Sequence, residues 1–292
     1  MTSVQQLLGR HVGLGLVILA AAQVGASAAT QPPYPQPTAP QAPYQVLQPV
    51  RPAARAPQYL SDRVDELGRK FDGRVGIAVK SVDEGWSTGW KADTLYPQQS
   101  VSKLWVAITA LDAVDKGRVR LTDKVTLSRD DLTLFHQPIA ALVRQNGAYT
   151  TTLDQLMYKA ITTSDNTAND KLMRSVGGAE AVRDMIAVKR LGAIRFYNGE
   201  RALQSKIAGL IWSPSYSVGR AFYQAREALP KSVRKAAFDR YVEDPYDGAS
   251  ASAIVNALAR LKRGETAEQI MRSWQPALDD FKTARARHLL YR

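Results

Sequence analysis

The stretch PQQSVSKLWVA, residues 97–107, sets Ser100 three positions ahead of Lys103 at the head of an apolar run. Residues three apart on a helix share a face, so this spacing brings an ammonium beside a hydroxyl. A serine hydroxyl is a weak nucleophile at neutral pH and needs a neighbouring base, which a partly desolvated lysine can supply. The free amides of a helix N-terminus would face negative charge developing at the same place. Spacing alone does not separate this chemistry from a helix cap followed by a solvated lysine. Ser232 and Lys235, in LPKSVRKAAFDR, have the same spacing among neighbouring cations and offer no pocket.

A second constellation follows in AITTSDNTAND, where Ser164, Asp165 and Asn166 fall between two helical patterns. A short loop there turns side chains into a cleft. Ser164 would relay a proton between Lys103 and a leaving nitrogen, and the Asn166 amide would hydrogen-bond a substrate carbonyl. The same residue types also make an ordinary helix cap.

Composition removes rival chemistries. The 292 residues include no cysteine, which excludes thiol nucleophiles, disulfides, thiolate metal sites and a lipid-attachment cysteine. The three histidines, His11, His136 and His288, lack metal-ligand spacing, so no metal is expected, and the serine chemistry above would require no organic cofactor. The formal charge of +12 fits solubility and attraction to an anionic cell envelope better than a nucleic-acid partner.

The elements that must position these residues begin after a targeting segment. Residues 1–28 read as a secretory signal, with Arg10 and His11, the apolar VGLGLVILAAAQV and a small-residue cleavage site at Ala26-Ser27-Ala28. The run is too short for a comfortable membrane span. The expectation is a monomer, periplasmic or secreted, with no stable span after cleavage; losing Arg10 leaves a charge of +11. Residues 29–57 are rich in proline and form an extended linker, and residues 58–292 form the folded domain. A helix starts near Gln58 with Leu60, Val64, Leu67 and Phe71 on one face and Ser61 or Asp62 as its cap. RVGIAVKS and WSTGWKA, joined by VDEG, predict a hairpin. An apolar helix runs from about Ser100 to Lys116 and stops at Gly117. From there to about residue 272 the pattern is mainly helical, so the fold class is α+β, a helical part plus an antiparallel sheet.

YPQQSVSK, LTDKVTLSRDDL and TTLDQLMYKAITTSDNTANDKLMRSVGG resemble, in the same order, segments of class A serine beta-lactamases, most clearly over residues 60–205. The resemblance implies a beta-lactamase/transpeptidase-like fold and a hydrolase in which a beta-lactam acylates Ser100. Lys103 and Ser164 would then manage protons, and Asn166 would position the substrate. It also implies a deacylating glutamate in an E-x-x-L-N segment. NGERALQSK supplies Glu200 and Leu203, with Gln204 where the family has asparagine; Glu200 would hold and deprotonate the hydrolytic water, a solvated loop carboxylate being the alternative. The family further implies a K-T-G strand, more strands and a closing helix. The nearest string, Lys282-Thr283-Ala284 in DDFKTARARHLLYR, has helical character, so the C-terminal strands are expected to be missing and strand edges left exposed. Two other readings stay open. One is a DD-peptidase or penicillin-binding protein acting on peptidoglycan stem peptides; the other is a non-catalytic envelope scaffold bound to anionic wall polymers.

Overall fold

The computed structural model describes residues 54–263. Helix α1 (Gln58–Lys70) opens behind Pro57, whose carbonyl accepts the N–H groups of Leu60 and Ser61. Ser61 and Asp62, the expected caps, therefore lie inside the helix, because a proline with its fixed φ already sets the turn into it. Strands β1 (Ile77–Lys80) and β2 (Ser87–Trp90) form the expected antiparallel hairpin, with Ile77 opposite Trp90. Helix α1 packs on β2 at Gly68, where a Cβ would stand 2.1 Å from Cγ of Trp90. Gly68→Ala gains about 1 kcal/mol of helix propensity. Overpacking against the indole should outweigh that gain and leave a net loss of about 1–2 kcal/mol in urea melts. A stabilised variant would contradict the close approach of α1 to the hairpin.

Strand β3 (Leu95–Pro97) leads through a 3-10 turn at Gln99–Val101 into helix α2 (Ser102–Asp115). The α-helix thus starts at Ser102 rather than Ser100, because the N–H of Val101 first closes a tight turn onto Gln98 O at 3.0 Å. Helix α2 buries Trp105, Val106, Ile108, Ala110, Ala113 and Val114, and with them the polar Lys103, Thr109 and Asp112, so it is enclosed on nearly every side. A mostly apolar helix with no solvated face belongs in the middle of a protein, and its buried charges need partners. Gly117 ends this region with φ of +68°, and the N–H of Arg118 returns to Ala113 O.

Around α2 lie β4 (Lys124–Leu127), α3 (Ile139–Asn146), β5 (Tyr149–Thr152), α4 (Leu153–Thr162), α5 (Asn166–Ser175) and α6 (Gly178–Val188). Then come α7 (Glu200–Ile207), α8 (Ala221–Ala228), α9 (Lys231–Glu243), β6 (Gly248–Ser250) and α10 (Ala251–Arg263). Helices α4, α5 and α6 pack on α2, and α10 packs on β1.

The expected mainly helical run after Gly117 is corrected by three short strands. Strand β4 pairs antiparallel with β5, and β6 pairs antiparallel with β3, placing Leu95 opposite Ser250. Strands of three or four residues are too short for alternation to show. The β3–β6 pairing carries residues 244–250 back beside the turn that holds Ser100. No helix among the described residues is long and apolar enough to cross a membrane. The predicted signal segment, most of the linker, His288 and Lys282–Ala284 lie outside the described residues.

Candidate active site

Ser100 stands exposed in the 3-10 turn, and Lys103, in the first turn of α2, is only 2% exposed. The Lys103 ammonium donates to Ser100 Oγ at 2.9 Å and to Glu200 Oε1 at 2.7 Å. The Ser164 hydroxyl donates to Ser100 Oγ at 3.0 Å. Ser100, Lys103, Ser164 and Glu200 thus form one connected cluster drawn from three separate segments. Ser232 and Lys235, which share the motif spacing, lie exposed on α9, and Lys235 pairs with Asp239.

Asp165 explains how Ser164 is held. Its carboxylate caps α5 by accepting the Ala168 N–H at 2.9 Å and also accepts the Ile139 N–H at 2.6 Å, tying α3 to α5. Burial pushes its pKa up. Ser164 itself takes φ of +55°, and Gln99 and Phe135 also have positive φ. Such backbone strain concentrates at functional sites. The S-D-N segment therefore caps a helix and also presents a hydroxyl, with a different residue doing each. Asn166 is buried; its Nδ2 donates to Leu134 O at 2.9 Å, which commits one of its two amide hydrogens to the neighbouring loop.

Glu200 is 4% exposed and ion-paired, so it is no solvated loop carboxylate. It is the first residue of α7, whose free N–H groups are met by a side chain from another helix. Asp170 of α5 accepts the Glu200 N–H at 2.8 Å and the Arg201 N–H at 3.3 Å. Gly199 makes room for this, with φ of +85° and a virtual Cβ only 2.7 Å from Asp170 Oδ1. Burial, then the nearby Glu200 charge, pushes the Asp170 carboxyl up to about 6. On the other side of Glu200, Gln204 Nε2 reaches Glu200 Oε2 at 3.3 Å and Gln99 Oε1 at 3.2 Å. The Gln99 N–H donates to Asp247 Oδ2 at 2.9 Å, and its side-chain amide donates to the Tyr241 hydroxyl. Burial raises the pKa of both Tyr241 and Asp247.

Sequence reasoning missed Gln99, Asp170, Tyr241 and Asp247. Only Asp170 left a signal, an acid four residues after Asn166 and three after Thr167, on the buried face of α5. Tyr241 and Asp247 arrive through α9 and the β6 return, which no local pattern announces.

The sequence pattern of the beta-lactamase enzyme family matches residues 58–277. The chain belongs to that family. Among curated relatives, a beta-lactamase of Rhodobacter capsulatus is 32% identical over 123 residues, which cover 42% of this chain and 41% of the relative. Beta-lactamase VEB-1 of Pseudomonas aeruginosa is 22% identical over 182 residues, covering 62% and 56%. The chain thus spans about half the length of the curated relatives it matches. Among solved structures, a beta-lactamase from Chitinophaga pinensis superposes with a TM-score of 0.53 at 21% identity, covering 70% of this chain and 63% of that one. The TLA-1 extended-spectrum beta-lactamase gives 0.52 at 17%, covering 71% and 63%. These likenesses establish the α+β beta-lactamase fold.

Proposed function

We propose that this family member is an exported serine hydrolase, periplasmic or secreted, that opens the amide of a beta-lactam through an acyl-serine intermediate. The observation that carries the reading is the convergence on Ser100 Oγ of Lys103 and Ser164, with Lys103 paired to the buried Glu200. Lys103 passes a proton to Glu200 and, as a neutral amine, takes the Ser100 proton while Oγ attacks the lactam carbonyl. Ser164 gives its proton to the ring nitrogen as the C–N bond breaks and is reprotonated from Lys103. Glu200 hands its proton back to Lys103, which restores carboxylate and ammonium; Glu200 then takes a proton from the water that attacks the acyl carbon and passes it to the departing Ser100 Oγ. Asn166, beside Ser164, is the substrate-positioning residue in this reading.

The test is to incubate the protein and Ser100→Ala with benzylpenicillin and follow intact mass together with drug loss. A Ser100-dependent mass increase of one penicillin, with drug consumption, is expected. Release of terminal D-alanine from a stem-peptide analogue without drug turnover would make the chain a DD-peptidase. A folded protein with neither activity would leave only the scaffold reading.

A further inference from the structure

Both oxygens of Glu200 are engaged by the protein: Oε1 by the Lys103 ammonium at 2.7 Å and Oε2 by the Gln204 amide at 3.3 Å. The second contact is braced from behind. The two amide hydrogens of Gln204 divide between Glu200 Oε2 and Gln99 Oε1. Gln99 is in turn held through its N–H by the buried Asp247 and through its side chain by the buried Tyr241. Gln99 immediately precedes Ser100, so the amide pair spans from the backbone beside the nucleophile to the base. A water approaching Glu200 from that direction has to displace Gln204 Nε2.

A small cavity of about 10 Å³, the size of one water, does touch Glu200. It is lined by Ser102, Asn169, Phe196, Leu203 and Asp247 and by none of Ser100, Lys103 or Ser164. Asn169 Oδ1 and Asp247 Oδ1, both buried and without a hydrogen-bond partner among the described residues, give a water there two acceptors.

We infer that the Gln99–Gln204 amide pair shields Glu200 from the hydrolytic water, so that deacylation limits turnover and the acyl-enzyme accumulates. This rests on the acyl-serine reading above. In the step concerned, the water oxygen bonds to the acyl carbon and the bond from that carbon to Ser100 Oγ breaks. One water proton passes to Glu200 and from there to Ser100. Gln204 takes no part in the bond changes; it sets access to the base. Acylation needs the Lys103–Glu200 contact on Oε1 and leaves the amide pair undisturbed.

The experiment separates the two steps with benzylpenicillin and intact-mass kinetics, measuring acyl-enzyme formation and then its decay after excess drug is removed. The parent, Gln204→Ala and Gln99→Gly are compared; glycine suits the φ of +49° at position 99 and releases the amide pair from its other end. Circular dichroism melts confirm that each variant is folded. The parent is expected to accumulate adduct, and both variants to deacylate faster by about tenfold or more, equivalent to about 1.4 kcal/mol of barrier, with acylation unchanged within about twofold. Adduct that forms but decays no faster in either variant would overturn the shielding role and leave the acyl-serine mechanism standing. Fast parental turnover without accumulated adduct would do the same. No adduct on any of the three folded proteins would overturn both.

Discussion

Lys103→Met is expected to lower the stability of the protein by about 3–5 kcal/mol, because removing one partner of a buried ion pair strands the other charge. Lys103 and Glu200 are 2% and 4% exposed and 2.7 Å apart, so water cannot take the place of the missing ammonium. The double variant Lys103→Met, Glu200→Gln should recover most of that loss, since a neutral amide at position 200 has far less need of a counter-ion. Urea melts of the two single variants and the double one measure the coupling directly. Chemistry should respond differently from stability. On the acyl-serine reading proposed above, acylation of Ser100 should fall about 10²–10⁴-fold in both proteins that lack the lysine, because each would lack the proposed general base. A Lys103→Met protein as stable as the parent would show that the pair is not buried in solution.

A second large effect concerns pH. The folded Asp170 carboxyl titrates at about 6, raised first by burial and then by the Glu200 charge, against an ordinary value of 3.8. Between these values the folded protein holds a proton that the unfolded chain has already released. Stability from this group is therefore fully present below about pH 4, is lost as pH rises through about 6, and is level above that. The size of the loss is on the order of 3 kcal/mol. Arg174 on the same helix and Arg201 on α7 soften the cost of ionisation but do not cancel it. Asp112 and Asp131 act in the opposite sense as pH falls: against the upward push of burial, Asp112 is held low by Lys116 and Lys189, and Asp131 by the Ser128 N–H and then Lys171 and Arg174. Comparison with Asp170→Asn isolates the one group. The asparagine keeps an acceptor for the Glu200 N–H, loses the acceptor for Arg201, and does not titrate. Relative to the parent, the variant should gain about 2 kcal/mol in urea melts on going from pH 4.5 to pH 7.5. Parallel pH profiles for the two proteins would mean that Asp170 does not change its protonation in this range.

Ser100, Lys103 and Ser164 were legible because their geometry is largely local. A spacing of three places the lysine beside the serine, and the hydrogen-bonding habits of Ser-Asp-Asn set the loop before α5. Glu200 was found only through resemblance, since nothing in NGERALQSK says that its carboxylate turns inward. The first hairpin could be read because its strands are adjacent in sequence. Strands β3 and β6 escaped because each is three residues long and pairs across about 150 intervening positions.

The sequence by itself determined the Ser100–Lys103 pairing, the Ser164 loop and the α+β class, which rest on short-range spacing and periodicity; the role of nucleophile for Ser100 came from the family resemblance. Only the tertiary structure showed how differently the two equally spaced serine-lysine pairs are enclosed. Lys103 is enclosed by α2 and α7 against Glu200, whereas Lys235 lies in solvent beside Asp239. It also decided the cap from Asp170 and the brace from Gln99, Tyr241 and Asp247, because burial and long-range hydrogen bonds are properties of packed elements that no local stretch of chain contains.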